Sequence, residues 1–428
     1  MKTITAEQFR SEKRNSTSNQ SDNEAIDQAV LEILKQVMKN GDKALFHYTE
    51  KFDGVTLDEF VVSEQEFVEA REMVSSDFLT SIQQAKTNIT TFHQAQVEHS
   101  WFMDKEPGIV LGQKVTPLEK VGIYIPGGKA AYPSSVLMNV IPAKLAGVEN
   151  IQIVTPPQSD GTINPYVLVA AEESGVDTIY KLGGAQAIAA LAYGTETVEK
   201  VAKIVGPGNA YVARAKKWVY GDVAIDMIAG PSEICVVADE TAPISYIAAD
   251  LLSQAEHDES ATAICVTTSN TLAEKLTIEV EKQTASLDRK AIIQRSLSQN
   301  GKIIIANDLK DAFNIVNELA PEHLELMIQN PSESLQYIKN AGAIFLGNYS
   351  PEPLGDYFAG PNHTLPTSST ARFASPLGVY DFVKRSSVIQ YSQAALLTNA
   401  EPIKTLANTE GLTAHANAIQ IRKEKPDA

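Results

Sequence analysis

The sequence predicts an α/β fold: two domains with mainly parallel sheets, and small helical extensions at the N-terminal and C-terminal ends. Three observations support this prediction. Ala25–Lys39 has apolar residues at helical spacing, and Gly41 follows as a stop signal. From about Val121, short β-branched runs alternate with glycine-rich turns and helical stretches, and a second set of such units begins after Gly230. This Rossmann-like rhythm predicts parallel strands joined by crossover helices.

The predicted elements follow in order along the chain. Phe67–Val74 and Phe78–Val97 continue the helical pattern of the N-terminal part. The first α/β set has predicted strands and helices at Val121–Ile125, Val136–Ala146, Asn150–Val154, Tyr166–Glu173, Thr178–Leu182, Ala185–Tyr193, Lys203–Val205 and Asn209–Tyr220. The second set has them at Ile234–Ala238, Ile244–His257, Ala263–Thr267, Leu272–Gln283, Lys302–Ala306, Leu309–Leu319 and Ala343–Leu346. A short helix is predicted near Leu412–Ile421.

These elements predict a discontinuous domain organisation. Residues 23–118 and 234–376 form a first α/β domain, and residues 119–233 form a second α/β domain inserted into it. The polar residues 1–22 form an N-terminal arm, and residues 377–428 form a C-terminal extension. No low-complexity tract separates these segments.

Composition narrows the class of function. The chain has 36 basic and 53 acidic residues, a formal net charge of −17, which argues against nucleic acid and anionic membranes as partners. Cysteine occurs only at Cys235 and Cys265, so a disulfide scaffold and a Cys-rich zinc site are excluded. The N-terminal residues hold no apolar signal core, and no apolar run approaches the ~18 residues of a membrane span. We expect an acidic, cytoplasmic globular protein.

Four glycine-rich turns could present backbone N–H groups to phosphates at a helix N-terminus. They lie at Pro126–Lys129, Gly183–Gln186, Gly206–Asn209 and Gly230–Ser232. None matches the dinucleotide fingerprint G-x-G-x-x-G or the P-loop. The residues alone therefore leave open whether these turns bind a nucleotide or only connect parallel strands.

Two short polar pairs are candidates for catalysis or metal binding. Gln254 and His257 are three residues apart on a predicted helix, so they share a face and could bind one cation. Glu322 and His323 follow Pro321, where a helix must stop. A loop there would place two titratable groups in a cleft for acid/base work, although helix capping by the histidine explains the pair equally well.

Further candidates lie towards the C-terminal end. Asp356 and His363 belong to a segment dense in Gly and Pro, where a carboxylate on a rigid loop suits a metal. Glu410 and His415 lie in the tail, where a catalytic role would need a partner surface. Two imidazoles, a carboxylate and an amide oxygen would form an N/O site that suits zinc. The motif H-E-x-x-H does not occur, which disfavours an ordinary zinc protease.

Eight segments, taken together, resemble the L-histidinol dehydrogenase family. Each one alone is a weak signal, but all eight run in the order of that family and span nearly the whole chain. They are Val121–Gly128, Gly183–Ala190, Lys203–Asn209, Ile225–Glu233, Asp250–His257, Pro321–Leu324, Phe345–Leu365 and Leu412–Asn417. The first hundred residues carry little of the resemblance.

The resemblance implies an NAD-dependent, zinc-assisted four-electron oxidation of L-histidinol to L-histidine through L-histidinal, the last step of histidine biosynthesis. It implies one zinc ion per site and a homodimer. The C-terminal segment would cross to the partner subunit, so that Glu410 and His415 complete the partner's site. An isolated monomer would then be inactive.

The resemblance also assigns roles to single positions. The zinc ligands are Gln254, His257, Asp356 and His415. The acid/base pair is Glu322 and His323. Substrate contacts are Ser232, Glu410, His323 and the ligand residues, and NAD contacts are Tyr124, Gln186 and Asn209. No ligand role falls on His363, for which we expect a supporting role.

Three other functions and one other route remain open at this stage. A zinc hydrolase acting on a small amide would use the same ligands and leave the glycine turns structural. A related dehydrogenase could oxidise another amino or hydroxy alcohol, and a non-catalytic scaffold could keep only the fold. A thiol route would use Cys235, three residues after Ser232, to form a thiohemiacetal with the aldehyde.

Overall fold

The computed structural model describes residues 1–15, 20–127 and 131–424. Its strands are β1 (Lys2–Thr5), β2 (Trp101–Glu106), β3 (Ile109–Pro117), β4 (Lys120–Tyr124), β5 (Asn150–Thr155), β6 (Thr178–Lys181), β7 (Lys203–Val205), β8 (Ala224–Ile225), β9 (Glu233–Ala238), β10 (Thr262–Thr267), β11 (Lys302–Ile305), β12 (His323–Met327), β13 (Ala343–Leu346) and β14 (Val383–Tyr391).

The helices are α1 (Ala6–Asn15), α2 (Gln20–Asn40), α3 (Asp42–Asp53), α4 (Glu64–Met73), α5 (Ser76–Gln94), α6 (Pro133–Ala146), α7 (Pro165–Ser174), α8 (Gly184–Tyr193), α9 (Ala210–Val219), α10 (Ile244–Ala255), α11 (Asn270–Thr284), α12 (Lys290–Gln299), α13 (Leu309–Leu319), α14 (Pro331–Ser334), α15 (Glu352–Tyr357), α16 (Gln393–Thr409) and α17 (Thr413–Glu424). Within the described residues, no helix has the length and apolar character needed to cross a membrane.

Two parallel sheets confirm the predicted fold class. One has six strands in the order β1-β11-β10-β9-β12-β13, and the other has five in the order β6-β5-β4-β7-β8. Each sheet is buried on both faces. Alternate residues of a strand enter different cores, as Ile234 and Cys235 do in the six-stranded sheet. The strands therefore read as continuous apolar runs, which is why the sequence reveals most of them.

The N-terminal part departs from the expected grouping in two ways. Residues 2–5, predicted in a separate arm, form β1 at the edge of the six-stranded sheet and pair with β11. The helices of residues 23–118 were grouped with 234–376, but α2 packs on α8 and α9, α4 on α7, and α5 on α6. Their apolar faces are buried by the helices of the five-stranded sheet. The domain boundaries themselves stay a prediction.

A smaller antiparallel sheet was not predicted. Strands β14, β3 and β2 pair in that order, and Gly108 turns the β2–β3 hairpin with a φ of +82°. The described chain divides into two compact units. One consists of Met1–Gln96 and Leu118–Phe382, and the other of Val97–Pro117 with the residues from Val383 on. The second unit contains this sheet together with α16 and α17, which pack on each other.

Candidate functional site

Gln254 and His257 lie where α10 ends. The helix stops at Ala255, two residues earlier than predicted, and the next turn continues because the N–H of His257 donates to the carbonyl of Gln254 at 3.2 Å. Gln254 follows Leu251 on the buried face of the helix, and both polar atoms of its side chain lack a partner within the described residues. An unpaired buried amide is costly, so this side chain is available for a ligand.

Asp356 lies on a short helix rather than on the predicted loop. Helix α15 places Glu352 one turn before Asp356, and both carboxylates lie beside the exposed His257. The ligand atoms of these three residues are all within 4.8 Å of one another. Glu352 was not among the predicted site residues, although its i, i+4 relation to Asp356 would have revealed it had a helix been predicted there. An imidazole with two carboxylates is a donor set that suits zinc.

Glu322 and His323 come together with Asp356 at the amino edge of the six-stranded sheet, where strand β12 begins. Ala320 ends α13 in the left-handed conformation, and His323 begins β12, where a loop was predicted. His323 Nδ1 lies 3.0 Å from the carbonyl oxygen of Glu233, so Nδ1 carries the hydrogen and donates it. His323 Nε2 then faces Asp356 Oδ1 at 3.5 Å. Glu322 Oε2 accepts the N–H of Glu233 at 2.8 Å and lies 3.6 Å from His323 Nδ1.

Burial and mutual charge shift the pKa values of these groups. Burial raises the pKa of Glu322 to about 7, although the neighbouring His323 opposes the rise. Burial alone would lower the pKa of His323, but the carboxylates of Glu322 and Asp356 outweigh it and raise the pKa to about 10. Burial would raise the pKa of Asp356, but contacts with His323 and the charge of His363 hold it far below its usual range. The three groups therefore form one electrostatic unit.

Two more buried carboxyl groups, Glu325 and Asp250, lie near Glu352, and neither was predicted as a site residue. Glu325 Oε1 on β12 accepts the N–H of Glu352 at 2.8 Å, which fixes the start of α15 on the sheet. Burial raises the pKa of Glu325 well above its usual range and that of its neighbour Asp250 to about 6. Burial also raises the pKa of Glu352 to about 8. The polar side chain of Glu325 interrupts the apolar pattern of β12, so the strand escaped prediction.

His363 links Asp356 to another helix. Its Nδ1 lies 2.9 Å from the main-chain oxygen of Asp356, and its Nε2 lies 3.1 Å from the hydroxyl of Ser135 at the start of α6. A cavity of about 540 Å³ opens beside His323, Asp356 and His363. Its remaining lining is mostly apolar, with Phe345 among the contributors. The cavity is large enough to receive a small polar molecule with a ring.

Tyr124, Gln186 and Asn209 lie at the carboxyl edge of the five-stranded sheet. Tyr124 ends β4, and its hydroxyl accepts the N–H of Gly184 at 3.1 Å. Gln186 is buried in the first turn of α8, and neither polar atom of its side chain has a partner in the described chain. Asn209 caps α9, where its Oδ1 accepts N–H groups at 3.0 and 3.1 Å, and its Nδ2 has no partner among the residues that the structure describes. Ligands of parallel sheets bind at such edges.

The remaining predicted residues have different surroundings. Ser232 directly precedes β9 and is half-buried. Glu410 and His415 belong to the second compact unit, where both are exposed at α16 and α17. Gly128 and Lys129 of the first predicted turn lie outside the described residues.

Cys235 does not fit the thiol route. Its side chain is buried in an apolar core between the six-stranded sheet and its helices. Burial raises the pKa of the thiol far above its usual value. A thiol held neutral and away from solvent is inert, so the structure does not support this alternative route.

Comparison with known proteins gives one consistent result. The family model described as histidinol dehydrogenase matches residues 16–423. The histidinol dehydrogenase of Oceanobacillus iheyensis is 58% identical over 406 residues, which is 95% of this chain and 95% of that relative. The one from Listeria monocytogenes is 57% identical over 400 residues, 94% of this chain and 93% of that relative. The crystal structure of histidinol dehydrogenase from Elizabethkingia anophelis matches with a TM-score of 0.91 and 38% identity, covering 99% of this chain and 98% of that one.

Proposed function

The chain belongs to the histidinol dehydrogenase family of oxidoreductases, which catalyse the final step of histidine biosynthesis, and on that premise we propose how its own residues carry the reaction. The reaction is the oxidation of L-histidinol through L-histidinal to L-histidine, with two NAD⁺ reduced and one water consumed. The observation that carries this proposal is the Glu322–His323–Asp356 unit beside the unpaired amide of Gln254.

The donor set at the end of α10 fits a zinc ion. His257 and Asp356 already lie close together, and the buried, unpaired Gln254 offers an amide oxygen. We assign these three as ligands, with the partner subunit's His415 as the fourth. When bound, zinc supplies a Lewis acid that can hold the amine and imidazole nitrogens of histidinol in place. Glu352 lies near enough to compete as a ligand, which a variant can test.

The edge of the five-stranded sheet fits a dinucleotide. Tyr124 is buried and offers the hydrogen of its hydroxyl, Gln186 offers a buried amide, and Asn209 offers its Nδ2 at the N-terminus of α9; neither amide group has a partner for these atoms within the described residues. NAD⁺ supplies the hydride acceptor, because zinc has no redox chemistry. Helix N-termini also favour the negative charge of a pyrophosphate.

His323 and Glu322 divide the proton transfers. His323 Nε2 is the ring atom left to take the hydroxyl proton of histidinol, because Nδ1 is committed to the carbonyl of Glu233. Although burial opposes it, the carboxylates of Glu322 and Asp356 raise the pKa of His323 to about 10, and a zinc ion held by Asp356 would offset part of that charge and favour the neutral ring that a base needs. Glu322, whose pKa burial raises to about 7, is suited to take a proton from the water that adds to the aldehyde. His323 then takes a proton again in the second oxidation.

The site is completed by a second subunit in this proposal. Glu410 and His415 are exposed on the second compact unit, a position compatible with reaching another chain. Glu410 and Ser232 would then contact the substrate. We place the homodimer in the cytoplasm, where NAD⁺ is supplied by metabolism.

The decisive experiment measures NADH formed per L-histidinol consumed, before and after chelation. We expect two NADH per histidinol, loss of activity with a chelator and recovery with zinc. A zinc-loaded protein that forms no NADH from histidinol would overturn the proposal. Turnover of a small amide without NADH would then favour the hydrolase, and a higher kcat/KM with another amino alcohol would favour the related dehydrogenase.

A further inference from the structure

A buried ion pair lies behind the turn that carries Asn209. Lys216 on α9 and Asp226, directly after β8, contact each other, and their side chains are only 2% and 1% exposed. Removing two charges from water is expensive, so a pair this deeply buried needs further hydrogen bonds to be tolerated. No role in catalysis or binding has so far fallen on either residue.

The side chains of the pair form hydrogen bonds with both backbone polar groups of Gly206. Asp226 Oδ2 accepts the N–H of Gly206 at 2.8 Å, and Lys216 Nζ donates to the carbonyl oxygen of Gly206 at 2.8 Å. Asp226 Oδ1 also accepts the N–H of Met227 at 2.6 Å. The Gly206 backbone is therefore tied to both members of the pair, which allows it little freedom to rotate.

Gly206 sits against the strand that ends in Tyr124. Its φ is +106°, and a Cβ at this position would overlap the carbonyl oxygen of Tyr124. Only glycine fits here. The hydroxyl of Tyr124 in turn accepts the N–H of Gly184, two residues before Gln186. The turn that begins at Gly206 therefore connects the three residues proposed to contact NAD, which are Tyr124, Gln186 and Asn209.

We propose that Lys216 and Asp226 are positioning residues for the cofactor. This inference rests on the proposed function. The pair acts through Gly206: it fixes the turn 206–208, so that the Nδ2 of Asn209 and the start of α9 are held in one place before the dinucleotide arrives. Pre-organisation of this kind lowers the entropy that binding must overcome. Lys216 contributes no free charge to a phosphate, because Asp226 neutralises it.

The test removes the pair without leaving a buried unpaired charge. In Lys216→Met/Asp226→Leu, both replacements resemble the native side chains in shape, so the main cost in stability is the loss of the hydrogen bonds to the backbones of Gly206 and Met227. We expect circular dichroism and zinc content to stay unchanged. The Kd for NADH and the KM for NAD⁺ should rise by about 10–100-fold, while kcat at saturating NAD⁺ changes by less than about threefold.

A matched control uses the ion pair at the other end of β7. Lys203 Nζ donates to the main-chain oxygen of Asp381 at 2.8 Å and to its Oδ1 at 3.0 Å. Lys203→Met/Asp381→Leu should leave the Kd for NADH within about threefold of wild type, because this pair does not contact the Asn209 turn. Should the first double variant fail to fold, Lys216→Met/Asp226→Asn replaces it, since Asn leaves no buried charge and keeps an oxygen to accept the N–H of Gly206.

A double-mutant cycle with Asn209→Ala separates positioning from general stability. If the pair acts through Asn209, its removal in the Asn209→Ala background costs less NADH affinity than in wild type. An unchanged Kd for NADH in the folded double variant, an equal loss in the control, or full additivity with Asn209→Ala would each overturn the inference. A wild-type protein that binds no NADH would instead overturn the proposed function, and the inference with it.

Discussion

The amino edge of the six-stranded sheet and the carboxyl edge of the five-stranded sheet present opposite kinds of chemistry. The edge of the six-stranded sheet holds titratable groups, with Glu322, His323 and Asp356 in mutual contact. The edge of the five-stranded sheet presents neutral hydrogen-bonding groups, among them Gln186 and Asn209. In the function that we propose, the first edge serves proton transfer and metal binding, and the second binds the dinucleotide.

The two edges differ in how they offset the free energy of burying charged groups. Charges at the six-stranded edge shift each other's pKa values and take N–H donors from the backbone, as Glu322 does from Glu233. At the five-stranded edge the buried charges of Lys216 and Asp226 cancel each other, and the surface that they support stays neutral. One edge is thus built to change protonation state and the other to keep its shape.

Removing a metal ligand should produce the largest effect and should act on the six-stranded edge alone. We expect Asp356→Asn to lose zinc and activity, because positioning of the substrate can supply ~7–11 kcal/mol of a barrier. NADH affinity should stay near that of wild type. Atomic absorption and NADH titration measure the two properties separately.

Glu352→Gln provides the matched control for the metal, since Glu352 lies in the same cluster. It should retain zinc if the ligands are those that we assign. Zinc retained by Asp356→Asn but lost by Glu352→Gln would contradict the assignment.

Glu322→Gln should slow the second oxidation more than the first. Gln keeps an oxygen to accept the N–H of Glu233 but cannot act as a base, and general-base assistance is typically worth ~10²–10⁴-fold. Single-turnover rates that start from histidinol and from histidinal give the two halves. Equal losses in both halves would show that Glu322 does not act on water in particular.

Gly206→Ala tests the shape of the five-stranded edge. A φ of +106° costs a non-glycine residue about 1–3 kcal/mol, and here the new methyl also overlaps the oxygen of Tyr124. We expect a lower free energy of unfolding and weaker NADH binding, with zinc content unchanged. Gly221→Ala is the control, because Gly221 has a φ of +113° and open space around its Cβ position. Equal effects of the two variants on NADH binding would count against a role for the turn.

The smallest effect concerns His93 on α5 and the free energy of unfolding at acid pH. Burial lowers the pKa of His93 below its ordinary 6.5, so the folded protein prefers the neutral ring. Below pH 6.5 the unfolded chain binds the proton first, and the contribution of His93 to stability falls until the folded pKa is passed. Urea unfolding above and below pH 6.5 should show a smaller decline for His93→Gln than for wild type. An equal decline in the free energy of unfolding for the two proteins would contradict this role of His93.

Local pattern was sufficient for most of the two parallel sheets. The predicted strands at Lys203–Val205, Ile234–Ala238 and Ala343–Leu346 agree with β7, β9 and β13 to within a residue. A buried parallel strand must be apolar on both faces, so its composition reveals it. Strand β12 escaped because two of its buried residues, His323 and Glu325, are polar and interrupt the apolar run. Strand β14 escaped because its pairing partner β3 is far away in the chain.

By itself, the sequence determined the strand–turn–helix units and the identity of the residues that can do chemistry. Helical spacing, glycine turns and apolar runs are patterns of a few neighbouring residues. The chemistry of an imidazole, a carboxylate or an amide is known from the residue type alone. Only the tertiary structure decided which of these groups meet. It brought Glu352 to His257 and placed the Lys216–Asp226 pair behind Gly206. Such contacts depend on which charges a fold can bury and compensate, a balance that is settled between distant parts of the chain.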